Sequence, residues 1–303
     1  MTNPIQTPID VPESFQSEYQ KNYSLATHDT GRLMLFAGDQ KVEHMNKDFF
    51  GEGIAADDQD PEHLFRIASK AKIGIFATQL GMVARYGNDY KSIPYLIKLN
   101  SKTNATKKDI DDPRSFSWFS VEDVIRFKET SKLSIVGVGY TVYCGSKYEG
   151  QMLREAAQAV YQAHQHGLFT VLWMYPRGAS VLDEKDPHLV AGAAGVALTL
   201  GSDFTKVNYP KPKEGDRPKA LQEAVIAAGR TKLICAGGSS VDVRDFLQTL
   251  HDQLHISGTY GNATGRNIHQ KSLDEAVRFA NAVSALTYDD VSVEKAFSIY
   301  KGE

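Results

Sequence analysis

The chain has 303 residues, 42% hydrophobic and 23% charged, with a formal net charge of −3. A core of this size needs neither disulfides nor a metal to be stable, and the balance is that of an ordinary globular enzyme. The near-neutral charge excludes the strongly basic surface that nucleic acid or an anionic membrane would require.

At the N-terminus, MTNPIQTPIDVPESFQSEYQKNY has no basic start followed by an apolar run, so it does not read as a signal peptide. The small-apolar segment LVAGAAGVALTL (189–200) is too short to cross a bilayer. A cytoplasmic protein is expected, with Cys144 and Cys235 as reduced thiols.

Short apolar segments with strand character then alternate with longer helical patterns. Strands are predicted at 32–38, 72–78, 94–99, 133–140, 169–175, 203–209, 232–238 and 256–261. Helices are predicted at 60–71, 120–130, 149–167, 187–201, 217–229, 241–254 and 272–288. Ser120, Asp186-Pro187 and Ser272 mark helix starts, and Ser272 has Glu275 at capping-box spacing. Strands with interposed helices imply parallel pairing and right-handed crossovers. At this length the pattern favours an α/β fold of (β/α)8 TIM-barrel type over an open doubly wound sheet. No composition break divides the chain, so residues 31–303 read as a single barrel domain. Residues 1–30 read as a short N-terminal extension, with a helix laid across the barrel bottom.

Two motifs are set aside. GVGYTV (137–142) places Val142 where a dinucleotide loop needs glycine, and its strand continues. His164 and His166 lie two apart on a helix, without a cysteine or carboxylate to complete a zinc set, and read as surface residues. No metal ligands cluster in the sequence, so no metal cofactor is expected.

The active site of such a barrel lies where strands end. Those ends hold Asp39, Gln40, Lys98, Trp173, Tyr175 and Lys206, with glycine-rich turns AGGSS (236–240) and GNATGRN (261–267) after strands seven and eight. Side chains alternate along a strand, so Lys206 shares a face with Phe204, and Tyr175 with Trp173. An amine inside a barrel top is desolvated, which lowers its proton affinity. A neutral amine there can form a Schiff base whose iminium accepts electrons during carbon–carbon cleavage. Tyr175 could then move a proton, and Asp39 could hold a substrate hydroxyl. The competing readings are a lysine reaching solvent, aromatic packing, and an aspartate capping a turn. The two glycine turns stand where barrels of this kind cup a phosphate, with Arg266 beside them.

VLWMYPRG (171–178), GSDFTKVNYP (201–210), AGGSS and GNATGRNIHQ resemble the archaeal-type class I fructose-bisphosphate aldolases of the DhnA-type group. GDQKVEH (38–44), IPYLIKLNSKT (93–103) and GYTVYCGSKYE (139–149) extend the resemblance over about residues 31–288. The resemblance implies Lys206 as the Schiff-base lysine, Tyr175 as proton donor and Asp39 as the substrate-contacting acid. It also implies that Gln40, His44, Trp173, Arg177 and Asn208 line the site. Gly237, Gly238, Gly265 and Arg266 would hold a phosphate. Gln40 stands where the family often has histidine, and Leu80 where many relatives carry a basic residue.

The activity implied is reversible, metal-free cleavage of fructose 1,6-bisphosphate to dihydroxyacetone phosphate and glyceraldehyde 3-phosphate in glycolysis or gluconeogenesis. The partners implied are phosphorylated sugars and a ring-based homo-oligomer, with a decamer as the candidate assembly. A related aminodeoxyheptulosonate synthase or phosphosugar thiolase is the alternative. A non-catalytic sugar-phosphate-binding barrel is a third reading.

Overall fold

The computed structural model describes residues 6–107 and 111–303 of the chain. Eight strands pair in parallel and in chain order, and the eighth returns to the first to close a barrel. They are β1 (Leu33–Ala37), β2 (Ile75–Gln79), β3 (Tyr95–Lys98), β4 (Ile135–Cys144), β5 (Phe169–Pro176), β6 (Phe204–Val207), β7 (Lys232–Ala236) and β8 (Gly261–Thr264). Strands covered on both faces should be apolar throughout, and β1, β2 and β3 are buried at every position. The alternation is still readable in what each face touches. Leu33, Leu35 and Ala37, with Phe169, Val171 and Trp173 and with Phe204, form one interior cluster. The opposite faces pack against the surrounding helices in a larger one.

Helix Glu13–Thr27 supplies the floor. Its Tyr19 and Tyr23 belong to the interior cluster, and Tyr23 stacks on Phe204 with centroids 5.5 Å apart and meets Phe169 edge-on at 6.2 Å. Phe169 and Phe204 open their strands, so the helix lies across the N-terminal ends of the barrel. The first five residues of the expected extension lie outside the described residues.

Several expectations change. The eighth strand is not at 256–261: helix Val243–Asp252 runs on through a π-turn, Gln253–Ser257, that buries Leu254. The strand begins at Gly261, so GNAT is strand and only Gly265 onward is turn. Strand β4 reaches Cys144 because its pairing with β5 continues unbroken from Gly137 to that residue. A helix at Leu80–Tyr86, after β2, was too short to show in the periodicity. Ser120 and Asp123 form a reciprocal capping box, and Asp186 caps the backbone N–H of Leu189. Ser272 makes no such bond, and the Glu275 carboxylate accepts instead from Lys271 and from the Tyr300 hydroxyl.

His164 is the largest correction, since it is fully buried rather than on the surface. Its Nδ1 lies 2.8 Å from Asp10 Oδ2 and its Nε2 3.1 Å from Asp203 Oδ2. Asp203 also accepts from the Tyr19 hydroxyl at 2.5 Å and from the Thr170 backbone N–H at 2.7 Å. The cluster fastens the floor helix to the starts of β5 and β6. Helix periodicity could not show it, because Asp10 and Asp203 come from distant parts of the chain. His166 is half-buried, edge-on to Phe15.

Burial opposes charging of His164, but the carboxylates of Asp203 and Asp10 outweigh it and raise its pKa to about 9. A histidine whose folded pKa exceeds its unfolded value of about 6.5 stabilises fully below the latter. That stabilisation is lost as pH rises through the folded value. We expect urea denaturation of the wild type to lose on the order of 3 kcal/mol between pH 6.5 and pH 9.5 from this group. His164→Gln should start lower and show a flatter slope over that window. Equal slopes would mean the imidazole is neutral in the folded protein.

Candidate active site

One interior layer carries the chemistry. In register across three strands stand Thr141 on β4, Trp173 on β5 and Lys206 on β6. Lys98 closes β3, pairing with Gly139. A Cβ at Gly139 would come within 2.5 Å of the Trp173 ring and 2.8 Å of Leu96. The missing side chain is what lets the indole lie across β4.

Both amines sit on that indole. Lys206 Nζ is 5.1 Å from the ring centroid and Lys98 Nζ 4.7 Å, and both residues are buried. Burial lowers the proton affinity of each, against the opposing pull of the Asp39 and Glu43 carboxylates. For Lys98 the pKa falls to about 8. Asp39 follows β1, its Oδ2 4.0 Å from Lys98 Nζ. Gln79 holds its backbone in place, donating to the Asp39 carbonyl at 3.1 Å.

Tyr175 lies two residues beyond Trp173 on the same face, its ring 6.3 Å from that of Tyr143. Burial, with the Asp39 and Glu43 carboxylates nearby, pushes its phenol well above the usual range. It therefore stays a neutral phenol. Arg177 spans Glu184 (2.8 Å) and Glu43 (3.4 Å), and the Tyr143 hydroxyl donates to Glu43 at 3.2 Å.

The glycine turns meet at the ends of β7 and β8. Asn267 joins them, donating to the carbonyls of Gly237 (3.0 Å) and Ser239 (3.1 Å) and accepting from the Val241 N–H. Gly238 has φ of +71° with open space where a Cβ would be. Arg266 opens a short helix, Arg266–His269, with its Nε 3.6 Å from Asp48, which also lies 2.5 Å from His44. At Gly265 a Cβ would collide with the Gln40 amide and lie 2.7 Å from the Ala37 carbonyl.

The structure thus brings Asp39, Trp173, Tyr175 and Lys206 to one end of the barrel. His44 and Arg266 are gathered through Asp48, and Gln40 lies against Gly265. Asn208 is less directly placed, since β6 ends at Val207 and no hydrogen bond ties it to the amine among the described residues. Leu80, where a basic residue was sought, is a half-buried apolar contact of the core. Sequence reading missed Glu43, Asp48 and Asn267. Asp39 and Glu43 do stand four apart around a short helix, a spacing that could have paired them. Burial pushes both thiols, Cys144 and Cys235, up to about 12, so neither is a nucleophile. No group of three or more metal-ligating side chains gathers among the described residues.

Residues 33–271 match the model of the DeoC/LacD family aldolases. The chain is 57% identical over 300 residues to a Methanocaldococcus jannaschii protein named fructose-bisphosphate aldolase/6-deoxy-5-ketofructose 1-phosphate synthase, covering 99% of this chain and 95% of the relative. The structure of a fructose-bisphosphate aldolase from Slackia heliotrinireducens superposes with a TM-score of 0.97 at 53% identity, covering 100% of this chain and 95% of that one. An archaeal fructose-1,6-bisphosphate aldolase, solved with its catalytic lysine covalently bound to a carbinolamine intermediate, has a TM-score of 0.75 at 33% identity. It covers 89% of this chain and 99% of its own.

Gly265→Ala tests the packing of this end without any ligand. Because the Ala37 carbonyl is backbone and cannot swing aside, the variant should lose about 1–3 kcal/mol in chemical denaturation. An unchanged midpoint would show that the turn has room.

Proposed function

The chain belongs to the DeoC/LacD aldolase family, and we propose that it cleaves fructose 1,6-bisphosphate through a Schiff base on Lys206. The observation that carries the assignment is the buried Lys206 amine, its proton affinity lowered, on the interior layer that also holds Tyr175 and Asp39. The covalent lysine intermediate in a relative of matching fold supports it.

The residues suggest a sequence of steps. The neutral amine attacks the C2 carbonyl of the open-chain sugar to give a carbinolamine. Tyr175, which keeps its proton, gives it to the departing hydroxyl, and water leaves to form the iminium. Asp39 takes the proton of the C4 hydroxyl as the C3–C4 bond breaks. The bonding pair moves through C3 onto the iminium nitrogen, leaving an enamine and releasing glyceraldehyde 3-phosphate. The proton held by Asp39 passes to C3 of the enamine, water adds to the resulting iminium with its proton returning to Tyr175, and collapse of the carbinolamine frees dihydroxyacetone phosphate and the neutral lysine. Trp173 forms the floor beneath the amine. Arg266 and the N–H groups around Gly238 and Gly265 receive one phosphate, the Gly237 N–H being taken by the Ala263 carbonyl at 2.9 Å, with His44 keeping Asp48 when Arg266 turns to it. Gln40, Arg177 and Asn208 shape the remainder of the cavity.

On this reading no metal takes part, and the enzyme serves glycolysis or gluconeogenesis in the cytoplasm as a homo-oligomer. No helix among the described residues is long and apolar enough to cross a membrane. The double name of the Methanocaldococcus relative favours a second reading, in which the same amine also joins other aldehyde acceptors to a ketose phosphate.

Lys206→Met should abolish both cleavage and borohydride trapping of dihydroxyacetone phosphate, with mass spectrometry locating the label on Lys206 in the wild type. A label on another lysine would overturn the assignment. Tyr175→Phe keeps the ring and should lower cleavage by about 10²–10⁴-fold while trapping persists. Near-normal turnover would leave the phenol a packing group. Activity should survive prolonged EDTA treatment; loss reversed by Zn²⁺ would mean a metal-dependent reaction.

A further inference from the structure

A buried polar atom without a partner is disfavoured until something meets it, and the amide oxygen of Gln79 is such an atom. Gln79 closes β2 and is only 5% exposed. Its register partner on β3 is Lys98, whose amine lies over the Trp173 ring, so the Gln79 side chain is on the interior face. What it touches fixes how the amide is turned. The Asp39 carbonyl can only accept, so the amide nitrogen faces it and donates there at 3.1 Å. That leaves Oε1 as the free end. Lys98 does not fill it, since its Nζ donates to Thr141 Oγ1 at 2.5 Å and to the Asn100 carbonyl at 3.4 Å. Nor can the oxygen be spared by a swing of the loop, because the Thr78 hydroxyl also holds that backbone, donating to the Gly38 carbonyl at 3.3 Å.

We infer that Gln79 is a specificity-determining residue of this site, its Oε1 accepting a hydrogen bond from the C5 hydroxyl of the sugar, which is the 2-hydroxyl of the aldehyde half. The inference rests on the Schiff-base reading above. Strand order gives the direction. The glycine turns after β7 and β8 lie between Lys206 on β6 and Asp39 after β1, and Gln79 on β2 comes next beyond Asp39. With one phosphate at those turns, C2 on Lys206 and the C4 hydroxyl at Asp39, the sugar continues past Asp39 toward β2. The first hydroxyl beyond C4 is the one on C5. Gln40 also has an unpartnered amide oxygen, but it lies against Gly265, on the phosphate side of Asp39. Only a donor satisfies the Gln79 oxygen. An aldehyde with hydrogen in place of the 2-hydroxyl fits the same space and leaves that oxygen buried and unpaired, and a site built to bond a hydroxyl rejects the analogue that lacks it. The enzyme therefore takes 2-hydroxyaldehydes in preference to their 2-deoxy counterparts.

The test runs the whole enzyme in the direction of synthesis, adding dihydroxyacetone phosphate to either of two aldehydes. One is glyceraldehyde 3-phosphate, and the other is 3-phosphooxypropanal, which differs only in lacking the 2-hydroxyl. In the wild type, kcat/KM for the aldehyde should favour the hydroxylated one by about tenfold to a hundredfold. Gln79→Met, of similar length but with no acceptor, should bring the ratio to within about threefold of one, chiefly by losing rate with glyceraldehyde 3-phosphate. Gln79→Glu, which keeps an acceptor oxygen, should retain the preference. Both variants lose the bond to the Asp39 carbonyl, which slows the two aldehydes alike and leaves their ratio unmoved. A residue that only steadied Asp39 would therefore show falling rates at a constant ratio. If Gln79→Met melts early, Gln79→Leu is read by the same criterion. A wild-type ratio near one, or an unchanged ratio in the folded variant without an acceptor, overturns the inference while borohydride still labels Lys206 with dihydroxyacetone phosphate. Absence of that label in the wild type overturns instead the aldolase reading on which the inference rests.

Discussion

Burying an amine is unfavourable unless something receives its charge, and this barrel buries two against the one ring of Trp173. The surrounding end of the barrel answers that constraint. Asp39 and Glu43 bring negative charge to the amines, and Gly139 removes the side chain that would push the indole away. Neither carboxylate approaches Lys206 closely enough to form an ion pair, so the attraction restrains its proton without locking it. A direct pair would hold the ammonium charged. The geometry sits between a neutral apolar pocket and a closed salt bridge.

The two ends of the barrel use buried polarity differently. At the floor, His164 has a carboxylate on each ring nitrogen, and Asp203 is further bonded by Tyr19 and Thr170. A polar network satisfied this fully fixes one arrangement and offers nothing to a ligand. At the opposite end the indole N–H of Trp173 and the amide oxygens of Gln40 and Gln79 are buried without partners. Unpaired buried groups are uncommon in folded proteins, and each is disfavoured until something meets it. One donor and two acceptors around the amine layer suit a molecule rich in hydroxyls.

Much of this was legible from strand alternation alone. Phe204 and Lys206 had to share a face, as did Trp173 and Tyr175, and in a closed parallel barrel that face is the interior. The strand ends alone therefore point to Asp39, Lys98 and Lys206. The misreadings share a cause, which is that local pattern cannot see distant partners. ISGTYG looked like a strand by composition, yet Leu254 just before it is drawn into the core by a helix that has not finished. His164 looked exposed because its acids lie in an N-terminal segment and before β6. Ser272 had its glutamate at capping distance, but Lys271 and Tyr300 claimed it first. Glu43 and Asp48 sit in a βα loop whose course depends on contacts with β4, β5 and the turn after β8.

The cations at the rim are already partnered, and that bears on how an anion could enter. Arg266 leans on Asp48, Asp48 on His44, and Arg177 on Glu43 and Glu184. Unpartnered, these guanidinium groups would add to the positive field at the lysines and draw small anions indiscriminately. Paired, they leave the field modest until a ligand offers better geometry than a carboxylate 3.6 Å from one guanidinium nitrogen. On the proposed reading a phosphate would do so, with N–H groups around Gly238 and Gly265 meeting its other oxygens. A lone carboxylate cannot fill that cup. Asp48 is not stranded by the exchange, since His44 stays 2.5 Å away on the same loop. On the proposed reading the loop after β1 would then select phosphate over smaller anions by making Arg266 cost something to release, while the same loop begins at Asp39 beside the buried amines.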